Sequence, residues 1–411
     1  MKRIALLMAS IAVTVMLNGC GNKSSSADAA PDFTAVAGDG FVTLTWTAQP
    51  DVDYWLFYAR GTTVTTSNWL SLGGTAIVNA SSPNTISGLT NGTAYSFTMN
   101  ARKNGGPGGA GAPTKVVTPR FAGATWTAGT PLGTGRLNGV SAAATTNVAV
   151  GAGGAIFASI GGTAPVARTN PAAPADLNAT AFGGAGFLAV GNAGTTIFST
   201  DGATWLTRTS STVADLYGIA SPGTGAFVTV GAGGSTNFSA DGITWMSTTS
   251  ATTKNLYSAI YGGGRYVAVG AQGTVITSTD GTTWQAVAVN TTNDLRGVTL
   301  GVLSTTTGIG TTAVTTTSNL FVAVGAAGTL LTSVDGLTWT LRTPISNNNI
   351  AGVAFGGQFV AVGNAGSIYT SADGITWQVR TSGTVNDLAA VARTSSGYAA
   401  VGAAGTNLSS F

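Results

Sequence analysis

The chain has 411 residues, 44% of them hydrophobic, and 60 glycines, enough apolar mass for two packed β domains but too much glycine for a helical protein. Only 8% of residues are charged, and the formal charge of +3 falls to +1 once Lys2 and Arg3 of the leader are set aside, too little for a phosphate-backbone binder. There is no His, all 14 acidic residues are Asp, and the single Cys excludes a disulfide framework and a multi-cysteine metal cluster, so no cofactor, metal or nucleic acid is expected.

The chain opens on a basic Met1-Lys2-Arg3, continues through an apolar run from Ile4 to Leu17, and closes that run with Leu17-Asn18-Gly19-Cys20. At about 14 residues the run is shorter than the roughly 20 a spanning helix needs. This segment resembles a bacterial lipoprotein signal peptide. The resemblance implies removal of residues 1–19, acylation of Cys20, and an exported protein held in the cell envelope by lipid. Gly21 stands where an Asp would retain such a protein in the inner membrane, so the outer membrane is the expected location. Residues 20–30, small and polar, read as a flexible tether.

From residue 31 to 119 short runs alternate apolar and polar: Phe41 to Trp46, Tyr54 to Tyr58, and Thr93 to Met99. Period two between Gly, Asn and Pro breaks predicts the half-buried strands of a sandwich. Pro31, Leu44-Thr45-Trp46 and Leu89-Thr90-Asn91-Gly92-Thr93-Ala94-Tyr95 resemble the landmarks of a fibronectin type III module, which implies a core Trp and a tyrosine corner. The Gly105-to-Gly111 stretch lacks the Lys-Ser/Thr pair of a phosphate loop and reads as the loop before the last strand.

Residues 120–411 repeat. Ser-x-Asp-Gly-x-Thr-Trp recurs at 199–205, 239–245, 278–284, 333–339 and 371–377, with Trp spacings of 40, 39, 55 and 38. Around each copy stand an Asp/Asn-Leu start, a Phe-Val-Ala-Val-Gly-like run and a Gly-Thr step, four strands per period, the pattern of a propeller blade. Starts at Leu137, Leu177, Leu216, Leu256, Leu295, Ile350 and Leu388 predict seven blades, the last completed by the N-terminal Ala124-Thr125-Trp126-Thr127. The fold class expected is therefore all-β, a fibronectin type III-like sandwich followed by a seven-bladed β-propeller.

The Trp phrase resembles the Asp-box of sialidase-like and photosystem-assembly-factor-like propellers. That resemblance implies structural roles, a turn-capping carboxylate at Asp201, Asp241, Asp280, Asp335 and Asp373 and an interblade ring at Trp205, Trp245, Trp284, Trp339 and Trp377. Asp and Gly are adjacent here where the family separates them by one residue, which predicts a tight Asp-Gly hairpin. The 137–171 unit has lost the phrase, reading Ser159-Ile160-Gly161-Gly162-Thr163, which argues for a structural over a catalytic motif.

A sialidase-like glycoside hydrolase would need irregularly placed acids and bases, yet all nine propeller Asp follow the repeat: five in the phrase, and Asp176, Asp215, Asp294 and Asp387 before a first strand. No catalytic residue is assigned. Arg168, Arg208, Arg342 and Arg380 leave the fourth strand and those four Asp enter the next, with Asn255 and Asn349 in two of the acidic positions. The expected ligand face is accordingly a ring of alternating charge around the channel, docking a protein or polysaccharide, unless each Asp merely caps a turn. The reading at this level is a non-catalytic, lipid-anchored binding or scaffold protein. The hydrolase is the first alternative, and an assembly factor for a membrane complex, by resemblance, is the second. The Thr- and Gly-rich 301–318 stretch reads as a long loop between strands one and two.

Overall fold

The computed structural model describes residues 26–28, 30–307 and 314–410; the leader, Cys20 and most of the 20–30 segment lie outside the described residues. The chain divides into two compact units, the second made of Arg120 onward together with Gly38–Gly40 and the first of the rest.

In the first unit, Phe33–Ala37, Phe41–Trp46 and Asn84–Ser87 form one antiparallel sheet. Val52–Arg60, Thr75–Ile77, Tyr95–Lys103 and Lys115–Val117 form the other. The alternation that predicted these strands turns Phe33, Val42, Leu44 and Trp46 of one sheet onto Tyr54, Leu56, Phe97 and Met99 of the other, all buried. Trp46 meets Tyr54 edge-on at 5.5 Å between ring centroids. The Tyr95 hydroxyl accepts the Thr90 N–H at 3.1 Å, tying the entry of its strand to the turn before it. The glycine stretch lies between Tyr95–Lys103 and Lys115–Val117. Ser26–Asp28, expected to be part of a tether, instead pairs antiparallel with the end of Tyr95–Lys103, Asp28 opposite Ala101. That strand edge presents unpaired backbone groups which a small polar segment satisfies without any core of its own.

The second unit is built of four-stranded antiparallel sheets, seven among the described residues. One of them runs Leu177–Phe182, Phe187–Gly191, Thr196–Ser199, Leu206–Thr207. The last runs Leu388–Arg393, Tyr398–Gly402, Asn407–Ser410, and its fourth strand is Trp126–Ala128 from the other end of the unit, with Ser410 opposite Trp126. First strands stand side by side, and Leu137–Ala143 touches both Leu177–Phe182 and Leu388–Arg393, so the series closes on itself and leaves no open edge between its ends.

Apolar residues from neighbouring sheets share each core: Val228 and Val230 of one sheet pack with Tyr266, Ala268, Ile276 and Trp284 of the next. Every first strand carries a bulge directly after its buried leading Leu or Ile, as between Leu216 and Gly218. After the bulge comes a small residue, and a Cβ at Gly218 would lie 2.9 Å from Ser258 Cα, at Gly297 3.1 Å from Gly352 Cα. Larger side chains there would wedge adjacent sheets apart.

Two expectations change at the turns. The described parts of the 301–318 stretch are strand: Leu295–Thr307 and Val314–Gly325 continue the first two strands of their sheet as a paired ladder out to Thr307 opposite Val314, residues 308–313 lying outside the described residues. β-Branched Thr runs suit a strand as well as a loop, and pairing decides between them. The Asp-Gly phrase makes a wider turn than a two-residue hairpin, because residues 200–205 separate Thr196–Ser199 from Leu206–Thr207 and only Gly202, at φ +77°, is left-handed.

Candidate binding site at the channel mouth

The turn phrase is held by its own side chains. Asp201 Oδ1 accepts the Ala203 and Thr204 N–H groups at 2.8 and 2.9 Å, and Ser199 Oγ accepts that of Gly202 at 2.8 Å. The same bonds recur at Asp241, Asp280, Asp335 and Asp373. A version lacking the Asp is assembled at the closure, where Gly123 donates to Ser410 Oγ at 2.7 Å and Trp126 follows. Trp205, Trp284 and Trp339 are buried, Trp245 and Trp377 partly so, each packed among aliphatic residues.

The second acidic series is equally engaged. Asp176, Asp215, Asp294 and Asp387 accept the N–H of Gly153, Ala193, Gln272 and Ala365 at 2.6 to 3.0 Å, and Asn255 and Asn349 do the same for Gly233 and Ala327. Each acceptor so caps the left-handed residue of the tight turn in the sheet before it, which joins consecutive sheets. The arginines sit elsewhere. Arg342 and Arg380 donate from Nε to Thr332 and Thr370 on the third strand of their own sheets, both at 2.8 Å, and Arg208 lies over the Phe198 ring, 5.6 Å from its centroid. Arg168 likewise leaves the fourth strand, next to Val166–Ala167. Among the described residues no ion pair joins any of these four arginines to any of these four aspartates. The fourth strand is the outermost of its sheet and the first the innermost, so the two series stand a full sheet width apart and do not merge into one ring.

What surrounds the mouth is a different set. A bulge re-aims its extra residue, and the residue following each leading Leu or Ile lines a central cavity of about 620 Å³. In order these are Asn138, Asn178, Tyr217, Tyr257, Arg296, Ala351 and Ala389. Arg136 joins them, at the position that is Asp or Asn in the other sheets. Unlike the carboxylates, this position does not repeat. Tyr217 and Tyr257 lie with ring centroids 6.0 Å apart, and the Arg296 guanidinium sits over Tyr257 at 4.3 Å while donating to Asp294 Oδ2 at 2.8 Å. Burial and the adjacent Asp215 carboxylate raise the Tyr217 hydroxyl above its ordinary pKa. Asn138 and Asn178 donate to the carbonyls of Leu177 and Leu216, both at 3.0 Å. Across the opening, Ala351 and Ala389 leave room. One flank therefore offers aromatic side chains and the remaining N–H groups of a guanidinium, and the other offers space, an arrangement that can stack and hydrogen-bond an extended ligand.

The sequence carries a signal for these residues, a chemically variable position inside an otherwise regular repeat, which the charges of the neighbouring loops mask.

The closed series of four-stranded antiparallel sheets defines the protein as a β-propeller. Among solved structures it is similar to YCF48 bound to D1 peptide (18% identity, 71% of this chain and 98% of that one, TM-score 0.54) and to YCF48 from Cyanidioschyzon merolae (19%, 70% and 99%, TM-score 0.54). It is also similar to a catalytically inactive virginiamycin B lyase from Staphylococcus aureus with quinupristin (10%, 70% and 98%, TM-score 0.59). At these identities the likeness is one of fold. No protein-family model and no curated protein matches the chain.

Proposed function

We propose that this is a lipid-anchored envelope protein whose second unit is a seven-bladed propeller that binds a polypeptide partner, in the manner of an assembly factor, with the first unit as a fibronectin type III-like spacer. The observation that carries the binding role is the channel mouth, where the repeat breaks into a Tyr217-Tyr257-Arg296 flank facing Ala351 and Ala389. A repeat held only for stability has no reason to differ there. Tyr and Arg are the residues that anchor protein partners. A polypeptide is favoured over a polysaccharide because one propeller of similar fold was solved with a peptide. A non-catalytic reading is supported by the nine propeller carboxylates, each of which accepts backbone N–H groups that hold turns.

The test is site-specific photo-cross-linking from position 389 in intact cells. A polypeptide should be captured, and Tyr257→Ala with Arg296→Ala should reduce capture at least roughly tenfold. Arg208, Arg342 and Arg380 changed together to Ala should leave it unchanged, since they lie on outer strands. Equal loss from both sets, or capture of glycan alone, rejects the proposal. The anchor is tested apart from this: Cys20→Ser should abolish palmitate labelling and release the chain from the membrane fraction.

A further inference from the structure

Six of the seven sheets begin the core part of their second strand with an aromatic ring opposite the turn Ser: Phe187, Phe227, Tyr266, Phe321, Phe359 and Tyr398. The Trp of the turn packs near that ring, with centroids 6.3 to 6.4 Å apart in the Tyr266–Trp284, Phe321–Trp339 and Phe359–Trp377 pairs. The sheet of Leu137–Ala143 has neither ring. Asn147 stands opposite Ser159 in place of the first, and Pro165, six residues after that Ser, in place of the Trp.

The space they vacate is not filled. A cavity of about 310 Å³ remains between this sheet and the last one, lined by Phe157, Tyr398, Leu132 and Val401 together with Asn147 and Pro165. A Cβ on the turn glycines Gly202, Gly242, Gly281, Gly336 or Gly374 would press on atoms 2.7 to 3.1 Å away, whereas a Cβ on Gly162 would meet nothing within 4 Å. Asn147 Oδ1 is buried there with no hydrogen-bond partner.

We infer that this seam is a binding site for a small planar aromatic group bearing one N–H or O–H donor, such as an indole or a phenol. The volume falls in the range of small-ligand pockets. Phe157 and Tyr398 supply aromatic lining, the aliphatic residues an apolar wall, and Asn147 an acceptor that asks for a donor. The cavity opens on the face of the Asp-Gly turns, away from the channel mouth, so it is independent of the polypeptide site.

The test is titration of the full-length chain with indole and with indene, which has the same shape without the N–H, followed by ligand-observed NMR. Indole should bind saturably and at least about five times more tightly than indene. Asn147→Leu, which keeps the volume and removes the acceptor, should bring indole down to the indene level, and Pro165→Trp should abolish binding of both. Absence of saturable indole binding, or indole affinity unchanged in Asn147→Leu, overturns the inference even if Pro165→Trp fails to fold. N-Acetyltryptophanamide separates the sources: its binding assigns the site to a partner's side chain, its exclusion to a free aromatic molecule.

Discussion

Phe359→Ala is expected to be the most damaging single change in the propeller outside its glycines. The ring is fully buried, stands 4.7 Å from Phe355 and 6.3 Å from Trp377 by centroid, and packs against Val322 and Val324 of the preceding sheet. Its removal empties a space walled by two sheets that cannot collapse without breaking strand register, a loss of about 3–5 kcal/mol. Calorimetry should show the unfolding midpoint lowered by roughly 6 °C or more. A shift below about 2 °C would mean that neighbouring sheets do not rely on this ring. Val385→Ala, at 85% exposure, is the matching control and should change nothing measurable.

Acid is expected to weaken the same unit through the five turn carboxylates. Asp201, Asp241, Asp280 and Asp335 are held below the ordinary Asp value of 3.8 chiefly by the N–H of Thr204, Thr244, Thr283 and Thr338. At Asp373 partial burial is the largest single influence and pushes upward, but the hydrogen bonds from Thr376, Ile375 and Ser371 taken together outweigh it. A carboxyl that is more acidic folded than unfolded stabilises the fold fully above the unfolded value, and that contribution disappears as pH falls through the folded one. Thermal midpoints should therefore be flat from about pH 8 to 5, since no His titrates there, and should drop below about pH 4. These groups are solvent-accessible, so each is worth about 1 kcal/mol or less, and the loss becomes large because five act together. Asn in all five positions keeps an acceptor oxygen but no titration, and should flatten the acid limb while lowering stability at neutral pH. An unchanged acid limb would show that other carboxylates govern it.

How much of this was legible beforehand differs by feature. The turn phrases and the aliphatic runs could be read directly, because they recur at a regular spacing and runs such as Phe187–Gly191 are apolar and buried along their whole length. Leu137, Leu177 and Leu216 announced their strands for the same reason. Other features depend on which chain segment lies alongside. Residues 301–307 and 314–318 of the Thr-rich stretch and Ser26–Asp28 look like loop and tether in isolation and become strands only through pairing. Arg208 and Arg380 are near acidic residues in sequence, but a whole sheet width separates the outer strand they leave from the inner strand that follows. The empty seam at Asn147 and Pro165 was half visible, as a lost turn phrase, while its second half lay in a residue that only strand register aligns with Phe187 and Phe359.

The amino-acid sequence by itself determined the all-β character, the repeat and its carboxylate-capped turns, since these follow from side-chain periodicity and from bonds spanning two or three residues. Tertiary structure alone decided which residues meet at the channel mouth and which space stays open at the closing seam. A bulge aims one side chain per sheet toward a common centre, and residues such as Gly123 and Ser410, far apart along the chain, become neighbours only when the ring closes.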